Sequence, residues 1–307
     1  MGGAVARRTV PVVELPLHGR LVVPVLAATG GSGRSTVAGL LGAVLARAAP
    51  SVVLDLAPRL ASPWPAWTAE PGTGLASIPP DRPLSRAQAQ AAAARLPGPG
   101  GSSWQVLTDH REWSAPPLPA VDTPAAWYQL AAIGGWPAVV ADTCHPMAHD
   151  LVAARTGGDQ GLTAAWCALP VSVPVVCAAA TGSGVAALQT ALSAAAAEGL
   201  PLQRMVVALV ATGDGRAPAP VRAGETMLAP RVAAVVRVPY DPDLRAHGLR
   251  NASRLGARSV QAAEQLVQAV VTSARESWGD PLPAAAQPAP AAPRTPSHVH
   301  PTEKVLL

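Results

Sequence analysis

Seven short runs rich in Val and Leu recur along the 307 residues, each followed by a glycine or proline loop and then an Ala-rich stretch of helical length. They read "RLVVPVLAA" from 20, "SVVLDLA" from 51, "SSWQVLTDH" from 102, "PAVVADTC" from 137, "SVPVVCAAA" from 172, "RMVVALVAT" from 204 and "RVAAVVRVPYD" from 231. An apolar run bounded by turn residues suits a strand buried on both faces, because neither face meets water. Such strands alternating with helices build a parallel sheet, since each right-handed crossover lays its helix back on one face or the other. The expected fold is α/β, three layers (α/β/α) around a mostly parallel sheet. Aromatic residues are 3% of the chain and Phe is absent, so Ala, Val and Leu must fill the layers; a 49% hydrophobic content is enough for a sizeable core.

Residues 1–19 carry Pro and Arg and read as a lead-in to one globular unit over 20–278. Within it, 58–101 is richer in Pro, Gly and Trp and reads as a loop-rich insertion. Its "LSRAQAQAAAARL" at 84–96 starts on a Ser and predicts a helix. "SVQAAEQLVQAVVTSARE" at 259–276 places Val260, Ala263, Leu266, Val267, Val270 and Val271 on one face, predicting a helix that closes the fold. Residues 279–307 hold few large apolar side chains, and their prolines favour an extended, solvated chain, so a disordered tail is expected there.

The formal net charge of +4 rests on arginine, Lys304 being the only lysine; it permits contact with nucleic acid or acidic lipid without requiring it. Cys144, Cys167 and Cys177 lack metal-type spacing and read as reduced, buried thiols of a cytoplasmic protein. The apolar run at 21–28 leads straight into a glycine loop and a helix-like stretch, which argues against a secretory signal peptide. No uninterrupted apolar run of about 18 residues offers a membrane span.

Between the first run and its helix lies "TGGSGRST", residues 29–36. It approaches the pattern G-x-x-x-x-G-K-S/T, in which backbone N–H groups cradle phosphates and a lysine neutralises them. Gly30, Gly31 and Gly33 let a backbone come close to an anion, and a helix opening near Arg34 directs its N–H groups there. An ordinary strand-to-helix turn would use the same glycines.

Taken with three further segments in order, the chain resembles the ParA/MinD family of ATPases, whose deviant loop reads K-G-G-x-G-K-S/T. "SVVLDLAPR" at 51–59 resembles the family's strand ending in D-x-D-P-Q, and "PAVVADTCHP" at 137–146 its strand ending in D-T-P-P. "VVRVPYDPDL" at 235–244 is similar to the late I-P-x-D segment beside the adenine. The resemblance implies a bacterial, cytoplasmic P-loop NTPase with ATP and Mg²⁺ as cofactors. By position, it implies that Gly30, Gly31, Ser32, Gly33, Arg34, Ser35 and Thr36 line the phosphates and Pro239 lies beside the base. It also implies Ser35, Asp55 and Asp142 as the Mg²⁺ ligands, and Arg34, Asp55 and Asp142 as the catalytic set. Asp55 and Asp142 equally suit a plainer role, ending strands and capping turns.

The departures from the family pattern fall where the chemistry should be. Ala28 replaces the first loop glycine, Thr29 the signature lysine, Arg34 the second lysine, Ala57 the second Asp of D-x-D, and Arg59 the following Gln. A guanidinium is planar and bulkier than an ammonium, so Arg34 is not a conservative exchange. Losing one charged hydrogen bond costs about 1.5–3 kcal/mol of affinity. Losing a water-orienting group costs roughly 10²–10⁴ in rate.

The expectation is a ParA/MinD-like pseudo-ATPase or weak ATP binder that acts as a positioning or assembly factor through protein contacts. One alternative is an active ATPase that forms an ATP-dependent homodimer. Another is a DNA-bound adaptor using Arg250, Arg254 and Arg258, which would share one face of a helix. The glycines of "AAATGSGVAALQTAL" at 178–192 suit an ordinary β–α connection, and Ala211 and Thr212 are poor substitutes for an adenine-contacting Asn. Asp142, Cys144 and His145 are sequence neighbours that would not converge on a reacting atom. His298 and His300 read as incidental. "HPTEKVLL" at 300–307 lacks an amphipathic moment, so no direct membrane insertion is expected; a protein partner could grip the proline-rich segment in extended form.

Overall fold

The computed structural model describes residues 19–288 except 69, 80–81, 119–122 and 251. Its strands are β1 (Leu21–Ala27), β2 (Ser51–Asp55), β3 (Ala94–Pro97), β4 (Ser103–Leu107), β5 (Ala138–Pro146), β6 (Val175–Ala179), β7 (Val206–Val210) and β8 (Ala234–Val238). They form one sheet in the order β3-β4-β2-β5-β1-β6-β7-β8, parallel except for the antiparallel edge pair β3–β4. Each residue of β1 and of β2 is buried, which is why their sequences are apolar without alternation.

The helices are α1 (Arg34–Leu45), α2 (Trp64–Trp67), α3 (Arg86–Ala92), α4 (Pro124–Gly134), α5 (Met147–Gly157), α6 (Leu162–Cys167), α7 (Gly182–Ala197), α8 (Ala219–Leu228), α9 (Pro242–His247) and α10 (Ala257–Trp278). One face of the sheet, including Val23, Val25, Val53 and Val140, packs against α1, α10 and the α2 residue Trp64. The other face is covered in two parts, by α5, α7 and α8 over β6 and β7, and by α3 and α4 over β2 and β4. The layers are therefore α/β/α. Along α10 the buried residues include Ala263, Leu266, Val267, Val270 and Val271, as its apolar face predicts. Burying each such Val or Leu contributes about 1.5–3 kcal/mol relative to exposure, against the entropy of ordering the chain.

Four expectations are corrected. The Ala-rich stretch 84–96 is not one helix: the Ser85 capping box starts α3, which stops at Ala92, and Ala94–Pro97 is the edge strand β3. Pairing with β4 overrides helix propensity there, with Ala94 and Leu96 facing the core and Arg95 outside. Packing also continues past Trp278, because Leu282 is buried in the core and Ala284 bridges Gly19. The rest of the proposed tail, with His298 and His300, and most of the lead-in lie outside the described residues. Cys167 and Cys177 are buried, but Cys144 is exposed because it sits past the point where β5 leaves the sheet interior. Finally, Arg250, Arg254 and Arg258 do not share a helical face. Arg254 ends a short 3-10 turn, Arg258 belongs to α10, and Arg250 donates through Nε and Nη2 to the Ala66 carbonyl at 3.0 and 2.6 Å.

Candidate functional site

A parallel sheet brings the carboxyl ends of its strands to one edge, and register decides which residues meet there. Asp142 on β5 is paired with Val25 on β1 and with Asp55 on β2, so the two aspartates of the sequence reading stand side by side. Beyond them β5 bulges: Val25 pairs with Asp142, but Ala27 pairs with Pro146. The Thr143 hydroxyl donates to the Val25 carbonyl at 2.8 Å and fills the interrupted ladder. The bulge turns the His145 carbonyl toward the loop that follows β1.

That loop is open at its tip. Thr29, Gly30 and Gly31 are exposed, and a Cβ on Gly30 or Gly31 would meet no atom within 4 Å. Gly33 adopts φ 79° as it leads into α1, and a Cβ there would lie 2.9 Å from Val210 of β7. Only glycine meets both demands without strain. No side chain caps α1, and the buried Ser32 hydroxyl has no hydrogen-bond partner. The first N–H groups of a helix together with an unpartnered buried hydroxyl fit an anion. Pro239, which follows β8, lies at the same end of the sheet.

Arg34 does not reach toward the loop tip. Its Nε lies 3.4 Å from Asp142 Oδ1, and its Nη1 donates to the His145 carbonyl at 3.3 Å. Asp142 is 1% exposed, and its Oδ2 accepts the Trp64 indole N–H at 2.8 Å. Burial pushes the Asp142 carboxyl above its usual range, opposed by the Ser35 hydroxyl, the Trp64 indole and Arg34. Asp55 is also enclosed. Its Oδ2 accepts the Ser62 and Thr108 hydroxyls, each at 2.6 Å, and its Oδ1 accepts the Ala57 N–H at 3.1 Å. Burial pushes the Asp55 carboxyl up to about 7, with the neighbouring Asp142 adding to the rise and those three donors opposing it.

Trp64 was invisible to sequence reasoning. It is fully buried, and its ring meets Trp67 and Trp104 edge-on at centroid distances of 5.1 and 5.8 Å. The Ser62 hydroxyl that donates to Asp55 also accepts the Trp64 backbone N–H at 3.1 Å, so Asp55 orders the entry to α2. Gly39 and Gly42 of α1 leave room for close neighbours: a Cβ on Gly39 would lie 2.0 Å from Leu249 and 3.0 Å from Trp64, and one on Gly42 2.8 Å from Val53 and 3.1 Å from Trp104. Glycine inside a helix costs about 1 kcal/mol against alanine, and those two positions were the available hint that something large packs on α1.

Other candidates have structural roles. Arg59 pairs with Asp109 at 3.1 Å and donates to the Trp113 and Ala115 carbonyls, pinning the loop after β4. Asp241 caps α9 and also accepts from Gly256 N–H and the Ser259 hydroxyl. A Cβ on Gly184 would lie 2.1 Å from the Ala179 carbonyl, which is why the second glycine loop needs that glycine for packing. His145 faces the buried Thr163 hydroxyl at 3.1 Å, not Cys144.

A divalent cation does not fit the carboxylates as they stand. Asp142 Oδ2 is taken by the Trp64 indole and three donors surround Asp55, while Asp142 Oδ1, which has no hydrogen-bond partner, lies 3.4 Å from a guanidinium that would repel a dication. Among the described residues no three His, Cys, Asp or Glu side chains gather as a metal cluster.

No protein-family model and no curated protein matches this chain. Solved structures do. A plasmid partition protein from Borrelia burgdorferi B31 bound to AMPPNP superposes with a TM-score of 0.51 at 12% identity, over 83% of this chain and 99% of the other. The fold is that of the ParA/MinD P-loop ATPases. Also similar are the MinD cell division protein of Aquifex aeolicus (TM-score 0.49, 13% identity, 87% and 100% covered) and a ParA family ATPase from Chlorobium tepidum TLS (0.48, 12%, 84% and 98%). In this fold, β1, the glycine loop and α1 form one continuous strand–loop–helix unit. Among the described residues no helix is long and apolar enough to cross a membrane.

Proposed function

We propose that this chain is a cytoplasmic ParA/MinD-like positioning or assembly factor that acts through protein contacts, binds nucleotide weakly, and hydrolyses it slowly or not at all. The observation that carries this reading is the direction of Arg34. The cation standing for the loop lysine is engaged by Asp142 and the His145 carbonyl, so moving it to a phosphate breaks existing contacts. Ala57 adds to this: its N–H serves Asp55, and its methyl group cannot orient an attacking water.

The open glycine tip, uncapped α1 and unpartnered Ser32 favour retained affinity for the phosphates of a nucleotide. Fold alone does not carry an activity, so turnover must be measured. The test is calorimetry with ATP, a phosphate-release assay, and sizing chromatography with and without ATP. Ordinary micromolar binding with sustained phosphate release and ATP-dependent dimerisation would replace this reading with that of an active ATPase. An adaptor role on DNA has less support, because Arg250 is tied to Ala66 and the basic stripe is broken.

A further inference from the structure

We infer that Arg34 and Trp64 together stand where a divalent cation would serve this loop, so that the chain binds the phosphates of a nucleotide without metal. This rests on the reading of the loop as a nucleotide site and adds the metal-free mode of binding. Asp142 carries the argument. Its Oδ2 accepts the Trp64 N–H at 2.8 Å, and its Oδ1, which accepts no hydrogen bond, is ion-paired with Arg34 Nε at 3.4 Å. An indole offers a donor and no acceptor, so it cannot itself ligate a metal ion, and its N–H is spent on Asp142 Oδ2.

Trp64 is fully buried, wedged between Trp67 and Trp104 and seated over Gly39, so it has no alternative position to rotate into. Arg34 is the cation that faces this carboxylate. Its side chain is 20% exposed, at the mouth of the site, while Asp142 is enclosed behind it. A phosphate on the loop would therefore lie near a guanidinium that stays paired with Asp142, a positive charge on the side where Mg²⁺ would otherwise stand. Trp64 is a positioning residue here: it keeps Asp142 free of metal and available to Arg34.

The test uses the full chain. AMPPNP and inorganic pyrophosphate are titrated calorimetrically in EDTA and in MgCl₂, for the wild type and for Trp64→Phe, which keeps an aromatic ring and removes the N–H. The wild type should bind with dissociation constants that agree within about threefold in the two buffers, whereas Trp64→Phe should gain at least about tenfold from Mg²⁺. Mn²⁺ titration followed by electron paramagnetic resonance should show a nucleotide-dependent site in the variant only. Wild-type affinity that rises about tenfold with Mg²⁺, or no binding of either probe in either buffer, overturns the inference whether or not the variant folds. Phosphate release separates this result from the parent reading: Mg²⁺-dependent binding without turnover sinks only the inference, and metal-free binding with turnover sinks only the slow-ATPase reading.

Discussion

Replacing Asp55 by Asn should reverse sign in its effect on stability as pH rises. In the wild type, burial pushes this carboxyl from 3.8 to about 7. The folded protein therefore binds a proton that the unfolded chain has released, and between about pH 4 and 7 stability falls as pH rises, then levels off. At about 1.4 kcal/mol per pH unit the loss amounts to roughly 4 kcal/mol. Asp55 is only 4% exposed, so solvent screens little of it. Asn cannot ionise and does not incur this loss. Its amide oxygen can still accept the Ser62 and Thr108 hydroxyls, but its NH₂ then meets the Ala57 N–H, and one hydrogen bond worth about 1 kcal/mol is lost. Asp55→Asn should thus be about 1 kcal/mol less stable than the wild type near pH 3, about equal to it near pH 4.5 and about 3 kcal/mol more stable near pH 8. Removing the charge also relieves Asp142, which acts in the same direction. Urea denaturation followed by tryptophan fluorescence in EDTA-containing buffers, at half-unit pH steps, measures both curves. Parallel curves for the two proteins would refute the assignment of Asp55 as a buried, largely protonated acid at mildly acidic pH.

Two further substitutions test the frame around the site. Asp241 is raised by partial burial but held below the usual range overall by the Ser259 hydroxyl and the Leu244, Gly256 and Asp243 N–H groups. Asp241→Ala should therefore cost about 2–3 kcal/mol at neutral pH in chemical denaturation, through a lost cap and lost charged hydrogen bonds. Because its folded pKa is depressed, that contribution is present above the unfolded value of 3.8 and lost as pH falls through the folded one, so wild type and variant should converge in acid. Leu282→Ala should lower stability by about 2 kcal/mol, since Leu282 is buried against the α1 and α10 side of the core; an unchanged denaturation midpoint would remove this segment from the folded unit.

The β1, β2 and β5 strands were legible in the sequence because a strand buried on both faces must be apolar at nearly every position. α10 was legible because one apolar face repeats at helical spacing. The loop was legible too, since the φ values of Gly31 and Gly33 and the closeness of Gly33 to Val210 demand glycine at fixed points between a strand and a helix. β3 was not, because four residues at the end of an Ala-rich run become a strand only when β4 offers an edge. The basic stripe failed for a related reason, as three arginines at helical spacing mean nothing once the chain turns between them. The engagement of the site was the least legible. Trp64 is 78 residues from Asp142 in the chain, and the His145 carbonyl 111 from Arg34. Local pattern fixes what a segment can become, because propensity and burial act over a few residues. Strand register and the β5 bulge decide which distant side chains face each other, and only the assembled sheet contains that information.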